Sequence, residues 1–156
     1  MRAVLAVLIL LFGASACGKG ARPFRMVQFC LASPQDINVM KDILHAAASA
    51  NKLPFYDRSK ETEAEVESIA EVQKSTPVAH PTVNAGTVGP DAMGFTAGNF
   101  PDAPLQIVVG FSKGDDATAA QKLSDAVVQA LATRWRIHEV PNVATSGAFP
   151  LKDCDA

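Results

Sequence analysis

The chain has 156 residues, of which 48% are hydrophobic and 19% are charged, and its formal net charge is −2 at pH 7. This length and apolar content suit one globular domain with a hydrophobic core. The chain has 14 basic and 16 acidic side chains, so it has no excess of positive charge with which to bind a phosphate backbone. This argues against nucleic-acid binding.

The first sixteen residues have the pattern of an export signal. Met1-Arg2 supplies a positive charge, residues 3–12 are apolar without a break, and residues 13–16 are the small side chains that a signal peptidase requires. The apolar run is shorter than the roughly 20 residues that cross a bilayer, so a permanent transmembrane helix is the weaker interpretation. We expect residues 1–16 to be removed, which also removes Arg2 and makes the remaining chain more acidic.

Residues 14–17 read Ala-Ser-Ala-Cys. This segment resembles the lipobox of bacterial lipoproteins, a small-residue triplet before an invariant cysteine, although Ala14 stands where that family more often has Leu. The resemblance implies a thioether-linked diacylglycerol and an amine-linked acyl chain on Cys17, and several acyl chains together make a stable membrane anchor. The alternative is an ordinary secretory signal, cut after Ala16, with a chance cysteine behind it.

The resemblance also implies that the protein is located in the cell envelope and faces the periplasm. Gly18 follows the cysteine, where enteric lipoproteins retained at the inner membrane carry Asp, and this favours the outer membrane. Residues 17–25 show no apolar periodicity and are expected to form a tether. Residues 26–156 then form one domain with an irregular C-terminal tail.

Two cysteines remain in the domain, Cys30 and Cys154. An exported compartment permits disulfides, and two thiols allow a single intramolecular pairing. That bridge would pin the tail across the domain and contribute roughly 4–5 kcal/mol in the chain-entropy model. The alternative is a buried, free Cys30 beside a disordered tail.

The predicted elements alternate between strands and helices. Residues 26–31 are strand formers, and Ser33, Pro34 and Asp36 favour a helix start. That helix runs to Asn51, and a brief apolar interval follows at residues 55–56. The remaining predicted elements are an acidic surface helix at 59–74, short strands at 83–88 and 93–97 within an irregular stretch, a central strand at 105–111, a helix at 117–135 after an N-cap turn, and a last strand at 137–140.

This order predicts an α+β fold. Without the acidic helix, it matches the split β-α-β plan of ferredoxin-like domains, in which two helices cover one face of an antiparallel sheet. The acidic helix is then an insertion.

No catalytic, cofactor or metal site is predicted. His45, His80 and His138 are scattered and lack metal-ligand spacing. The glycine-containing segments 86–89 and 110–114 do not match a phosphate-binding loop, and the acidic residues of 59–74 are better explained as a solvated helix surface than as a calcium site. Cys30 lies in a strand, away from the helix N-terminus that would activate a thiol.

One cluster resembles a binding surface in composition. Arg134, Trp135 and Arg136 end the last helix, and Arg and Trp dominate interaction hot spots. The alternative is that Trp135 fills the core while the arginines complement the negative helix end.

These observations favour a non-catalytic envelope lipoprotein whose domain binds a periplasmic protein, an envelope polymer or a toxin that it neutralises. A structural or assembly subunit of an envelope complex is the alternative, and an exposed apolar edge would favour it. A small periplasmic enzyme ranks third, and would require a pocket with convergent titratable groups.

Overall fold

A computed structural model describes residues 22–72, 81–100, 103–142, 151 and 154 of the chain. The predicted signal peptide, Cys17 and His80 lie outside these residues. The elements are β1 (Arg25–Cys30), α1 (Asp36–Ala50), β2 (Phe55–Asp57), α2 (Ser59–Val72), β3 (Asn84–Val88), β4 (Gly94–Phe100), β5 (Ala103–Ser112), α3 (Ala117–Ala132) and β6 (His138–Glu139), with a 3-10 turn at Pro90–Ala92.

The six described strands form one antiparallel sheet in the order β2-β3-β4-β5-β1-β6. Within it, β6-β1-β5-β4 together with α1 and α3 make the split β-α-β arrangement that the sequence predicts, so the α+β, ferredoxin-like fold is confirmed. The strands β2 and β3 extend that four-stranded unit at its β4 edge.

One face of the sheet carries the main core. Val27 and Phe29 of β1 lie opposite Val109 and Ile107 of β5, and all four are fully buried. Because side chains alternate along a strand, these residues share the face on which α1 and α3 pack. The helices contribute stripes at helical spacing, namely Ile37, Met40, Leu44, Leu123, Val127 and Leu131.

The first helix begins later than the sequence predicts. Asp36 is its first residue, and the preceding Gln35 makes no side-chain capping bond. The Asp36 carboxylate instead accepts hydrogen bonds from the backbone N–H of Ser33 at 3.0 Å and from its hydroxyl at 3.2 Å. The predicted start signal therefore forms a turn that leads into the helix.

The inserted acidic helix is confirmed as α2, and a series of side-chain hydrogen bonds attaches it to the sheet. Asp57 accepts hydrogen bonds from the hydroxyl of Ser59 at 2.6 Å and from Lys41 of α1 at 2.9 Å. The Ser59 hydroxyl also accepts the backbone N–H of Asn84 in β3 at 3.1 Å. Because these bonds join α1, β2, α2 and β3, the insertion has a defined position although most of its surface is exposed.

The opposite face of the sheet is polar in part, and the described tail residues Leu151 and Cys154 contact it. Gln28 and Gln106 are buried there. The Gln106 side-chain oxygen accepts the backbone N–H of Leu151 at 3.1 Å, and Leu151 itself is buried. The tail residues that the structure describes therefore belong to the folded domain.

Candidate functional site

A cleft opens at the end of the sheet where β1 finishes and α3 turns into β6. Its volume is about 250 Å³. We call it the arginine–tryptophan cleft, and its lining residues are Cys30, Leu31, Ala32, Arg134, Trp135, Arg136 and His138. The three residues that composition singled out in the sequence therefore share one concave surface.

Trp135 forms the wall of the cleft that adjoins the core. Helix α3 ends at Ala132, three residues before the predicted end, and Thr133 closes it by donating its hydroxyl to the carbonyl of Ala130 at 2.7 Å. The chain must turn here because His138 pairs with Gln28 to begin β6. The backbone N–H of Trp135 still donates to the Leu131 carbonyl at 3.1 Å. The indole packs against the core and is half-buried.

Basic side chains surround this wall. Arg134 and Arg136 are exposed and His138 is half-buried. Among the lining residues that the structure describes, none is acidic. Arginine presents a planar fork of donors that matches a carboxylate or phosphate, and the exposed Arg134 brings such a fork to the described lining of the cleft.

The neighbouring Glu139 is not among the described lining residues, and its carboxylate pairs instead with Arg25 at the start of β1, the end of the strand away from the cleft. It lies opposite Val27, a core residue. There its carboxylate accepts a hydrogen bond from Nε of Arg25 at 3.1 Å, and the same guanidinium pairs with Asp125 at 2.7 Å. The Glu139 hydrogen bond is the largest influence on the pKa of Arg25 and raises it, against the opposing effect of burial.

A disulfide bounds the cleft on the opposite side. Cys30 is bonded to Cys154, with their Cα atoms 5.2 Å apart. The pairing expected from the cysteine count is thus present, and the free-thiol alternative is wrong. Since a disulfide sulfur lacks the thiolate that acts as a nucleophile, the oxidised Cys30 contributes shape to the cleft and holds the tail beside it.

Other candidate residues lie apart from the cleft. His45 stacks on Phe55, with ring centroids 5.0 Å apart, near the β2 edge of the sheet, whereas His138 lies on β6 at the other edge. Within the described ranges, no three His, Cys, Asp or Glu side chains gather where they could bind a metal ion.

Turn chemistry explains the second glycine-containing segment. Gly114 has a positive φ of 58°, and Asp116 caps α3 by accepting the backbone N–H groups of Thr118 and Ala119, both at 2.9 Å. The predicted N-cap is therefore confirmed. A carboxylate already occupies this helix N-terminus, where a phosphate would otherwise bind.

A second, shallower surface of about 460 Å³ lies along α1 and α3. Its lining is mostly apolar and small, namely Ile43, Ala46, Ala47, Ala50, Asn51, Ala126, Ala130, Thr133 and Arg134. Ligand sites combine apolar walls with a few convergent polar groups. The arginine–tryptophan cleft meets that description better, because its basic residues and its indole face one space.

His138 also lines the cleft, although the sequence pattern did not indicate it as a binding residue. It follows Arg136 by two positions, but the pairing of His138 with Gln28 places it at the cleft, and this pairing is not visible in the local pattern. Ile137 between them packs against the core.

In the described part of the chain, no helix combines the length and the apolarity that crossing a membrane requires. No protein-family model matches the sequence, and a search of curated proteins found no match either.

Proposed function

We propose that this protein is an envelope lipoprotein, anchored through Cys17, whose domain binds a periplasmic partner in the arginine–tryptophan cleft without catalysing a reaction. The observation that carries the proposal is the convergence of Arg134, Trp135 and Arg136 on one cleft. Arg and Trp are the residue types that most often dominate binding energy when they line a partly desolvated pocket.

The position of the cleft relative to the proposed anchor supports this function. The proposed tether joins the domain at Phe24, whose backbone N–H donates to the Phe111 carbonyl at 2.9 Å, and β1 begins at the next residue, Arg25. The cleft lies beyond Cys30, at the other end of that strand, which is roughly 17–20 Å away. A domain held by this tether therefore presents its cleft on the side away from the attachment point, toward soluble partners.

Crosslinking from inside the cleft tests the binding role. Ala32 is exposed and lines the cleft, whereas Ala117 is exposed at the opposite end of α3. A photoreactive amino acid at position 32, activated in intact envelopes, is expected to capture a defined partner that position 117 does not. The Arg134→Gln variant should weaken that capture. Identical adducts from both positions, or none from position 32, would contradict the proposal.

The anchor is tested separately by metabolic labelling with a fatty-acid analogue. Cys17→Ser should abolish labelling, because only the sulfur forms the thioether, while Cys17 in the unaltered chain should carry label. If the protein is located at the outer membrane, as proposed, the labelled protein should fractionate with outer-membrane markers. Equal labelling of the serine variant would remove the lipoprotein assignment.

A role as an assembly subunit is the second candidate, because α2 exposes apolar side chains. Val66 is 41% exposed and Ile69 is 56% exposed, on the same side of an otherwise acidic helix. Exposed apolar patches mark interaction surfaces when they are extensive. If assembly is the function, Ile69→Glu should cause an envelope complex seen on native gels to dissociate, whereas Arg134→Gln should leave that complex intact.

A further inference from the structure

We propose that an exposed face of α2 binds a positively charged, amphipathic segment of a protein partner. This inference rests on the assembly role given above as the second candidate, and it names the chemistry of the partner in that role. Val66 and Ile69, with Glu63 and Glu65 beside them, define the surface, which we call the α2 face. It shares no residue with the described lining of the arginine–tryptophan cleft.

The apolar part of the α2 face continues the stripe that attaches the helix to the sheet. Thr62 accepts a hydrogen bond from the side-chain amide of Asn84 in β3 at 2.8 Å. Val66 and Ile69 follow Thr62 by four and seven positions, so the three residues lie along one side of the helix. Thr62 is half-buried, whereas Val66 and Ile69 are 41% and 56% exposed. The helix therefore carries apolar side chains beyond its contact with β3 and into solvent.

Glutamates flank the apolar pair on both sides. Because an α-helix has 3.6 residues per turn, Glu63 neighbours Val66 at one margin of the stripe and Glu65 neighbours Ile69 at the other. Both glutamates are exposed, and neither forms an ion pair within the part of the chain that the structure describes. The helix holds five glutamates and one lysine, although the net charge of the whole chain is only −2. Negative charge is therefore concentrated around this apolar stripe.

The spacing of the glutamates adds a repulsion that a cationic partner would relieve. Glu61 and Glu65 are four positions apart, and so are Glu63 and Glu67. Residues at this spacing are neighbours on the helix surface, and two like charges there destabilise the helix. Lysine or arginine side chains of a bound segment, placed along the margins of the stripe, would offset this repulsion while their neighbouring apolar side chains cover the stripe.

The same charges disfavour two other occupants. A second copy of this chain docked through the same face would bring glutamates against glutamates, and like charges facing each other oppose association. An anionic lipid surface would be repelled in the same way, because it attracts basic segments. An amphipathic segment with a basic margin fits both features, since it buries the apolar stripe and complements the charge around it.

A labelled model peptide tests this chemistry. The probe is a helical peptide of leucine and lysine with leucine along one side, and two controls replace every lysine by glutamine or every leucine by serine. Each peptide is titrated with the full chain in a non-ionic detergent, and fluorescence anisotropy is compared with a detergent blank. The lysine–leucine peptide should bind at least about tenfold more tightly than either control. About 1 M salt should remove its advantage over the glutamine peptide.

Substitutions test whether the α2 face is the site of binding. Ile69→Ser should weaken binding of the probe by about tenfold, whereas Val88→Ser, at a residue of β3 that is 55% exposed, should leave it unchanged. Glu63→Gln combined with Glu65→Gln should weaken binding by about threefold to tenfold and make it less sensitive to salt. Asp42→Asn, at an exposed position of α1, should do neither.

A photoreactive leucine in the probe locates the contact without any substitution in the protein. Trypsin cuts after Lys60 and Lys74, so one fragment, residues 61–74, contains the whole α2 face. The adduct should lie on that fragment. Adducts confined to other fragments, equal binding of the glutamine peptide, or unchanged binding by Ile69→Ser would overturn the proposal. Dimerisation of the chain, or its binding to anionic vesicles, would also overturn it if Ile69→Ser abolished either one.

Failure of this inference is distinguishable from failure of the assembly role. If Ile69→Glu causes an envelope complex to dissociate on native gels while the probe shows no preference for lysine over glutamine, assembly through α2 holds and the partner chemistry proposed here is wrong. If no complex is affected by Ile69→Glu, the assembly role itself is wrong.

Discussion

The indole of Trp135 stacks on the phenyl ring of Phe29, with centroids 5.4 Å apart and planes inclined by 25°. Phe29 is fully buried in the centre of the main core, and Trp135 is half-buried at its margin. One face of the indole therefore completes the core while the side chain also lines the cleft. The two interpretations of Trp135 offered by the sequence, core residue and binding residue, are compatible in this geometry.

Truncation of Trp135 should destabilise the domain. Trp135→Ala removes the stacking partner of Phe29, and because the indole is only half-buried the expected loss is about 2–3 kcal/mol, below the full range for buried aromatic residues. The melting temperature should fall by roughly 6–12 °C in thermal unfolding followed by circular dichroism. Trp135→Phe should recover much of this loss by restoring a stacked ring.

The matched control is Arg134→Ala, which changes the neighbouring exposed residue. Its effect on stability should be about 0–1 kcal/mol. A melting temperature of Trp135→Ala that matches that of Arg134→Ala would contradict the contribution of the indole to the core.

The disulfide should be detectable chemically and should stabilise the fold. Alkylation of the native, unreduced protein should leave Cys30 and Cys154 unmodified in mass spectrometry, and both should react after reduction. The two residues are 124 positions apart, so replacing both by Ser should cost up to about 4–5 kcal/mol in urea unfolding. Complete alkylation of both thiols before reduction would refute the bridge.

Arg25 should be hard to replace even by lysine. Its side chain is 20% exposed, and the guanidinium pairs with Glu139 on β6 and with Asp125 on α3. A single ammonium group does not present donors in both directions as the planar guanidinium does. Arg25→Lys should lower the free energy of unfolding by about 1–2 kcal/mol, measured with urea. Arg58→Lys is the control, because Arg58 and Glu61 form a long, exposed pair at 3.9 Å that contributes little. Equal effects of the two substitutions would contradict the bridging role.

Asp57 should make stability depend on pH in the acid range. Burial by itself raises the pKa of its carboxyl, but the hydrogen bonds from Ser59 and Lys41 outweigh burial, so the net pKa is lowered. Since the folded-state pKa lies below the unfolded value of about 3.9, the stabilisation is complete above that pH. It is lost as the pH falls through the folded-state pKa.

Urea unfolding between about pH 5 and pH 2 measures this effect. Asp57→Asn should make the free energy of unfolding decline less steeply with falling pH than in the unaltered protein. Asp42→Asn, at an exposed position of α1, should keep the original slope. A slope that is unchanged in Asp57→Asn would show that this carboxyl does not contribute.

Local periodicity was sufficient to predict the central elements. The four-residue steps of Leu123, Val127 and Leu131 indicate the buried stripe of α3, and all three are buried in the structure. The near-continuous apolar run of β5 indicates a strand with neighbours on both sides, and β5 lies between β4 and β1. Such patterns are readable because each residue's orientation follows from the helix or strand repeat alone.

The sequence by itself determined the split β-α-β plan and the inserted acidic helix, and it allowed one intramolecular cysteine pairing, which the structure contains. Only the tertiary structure decided the strand β2, the end of α3 and the shape of the cleft. Three residues, Phe55–Asp57, are too few to show a period, and they form a strand because β3 supplies a pairing partner, with Phe55 opposite Thr87. Likewise, Cys30 comes close to Trp135 and His138 because β1 pairs with β6 from far along the chain, and such a contact leaves no local pattern.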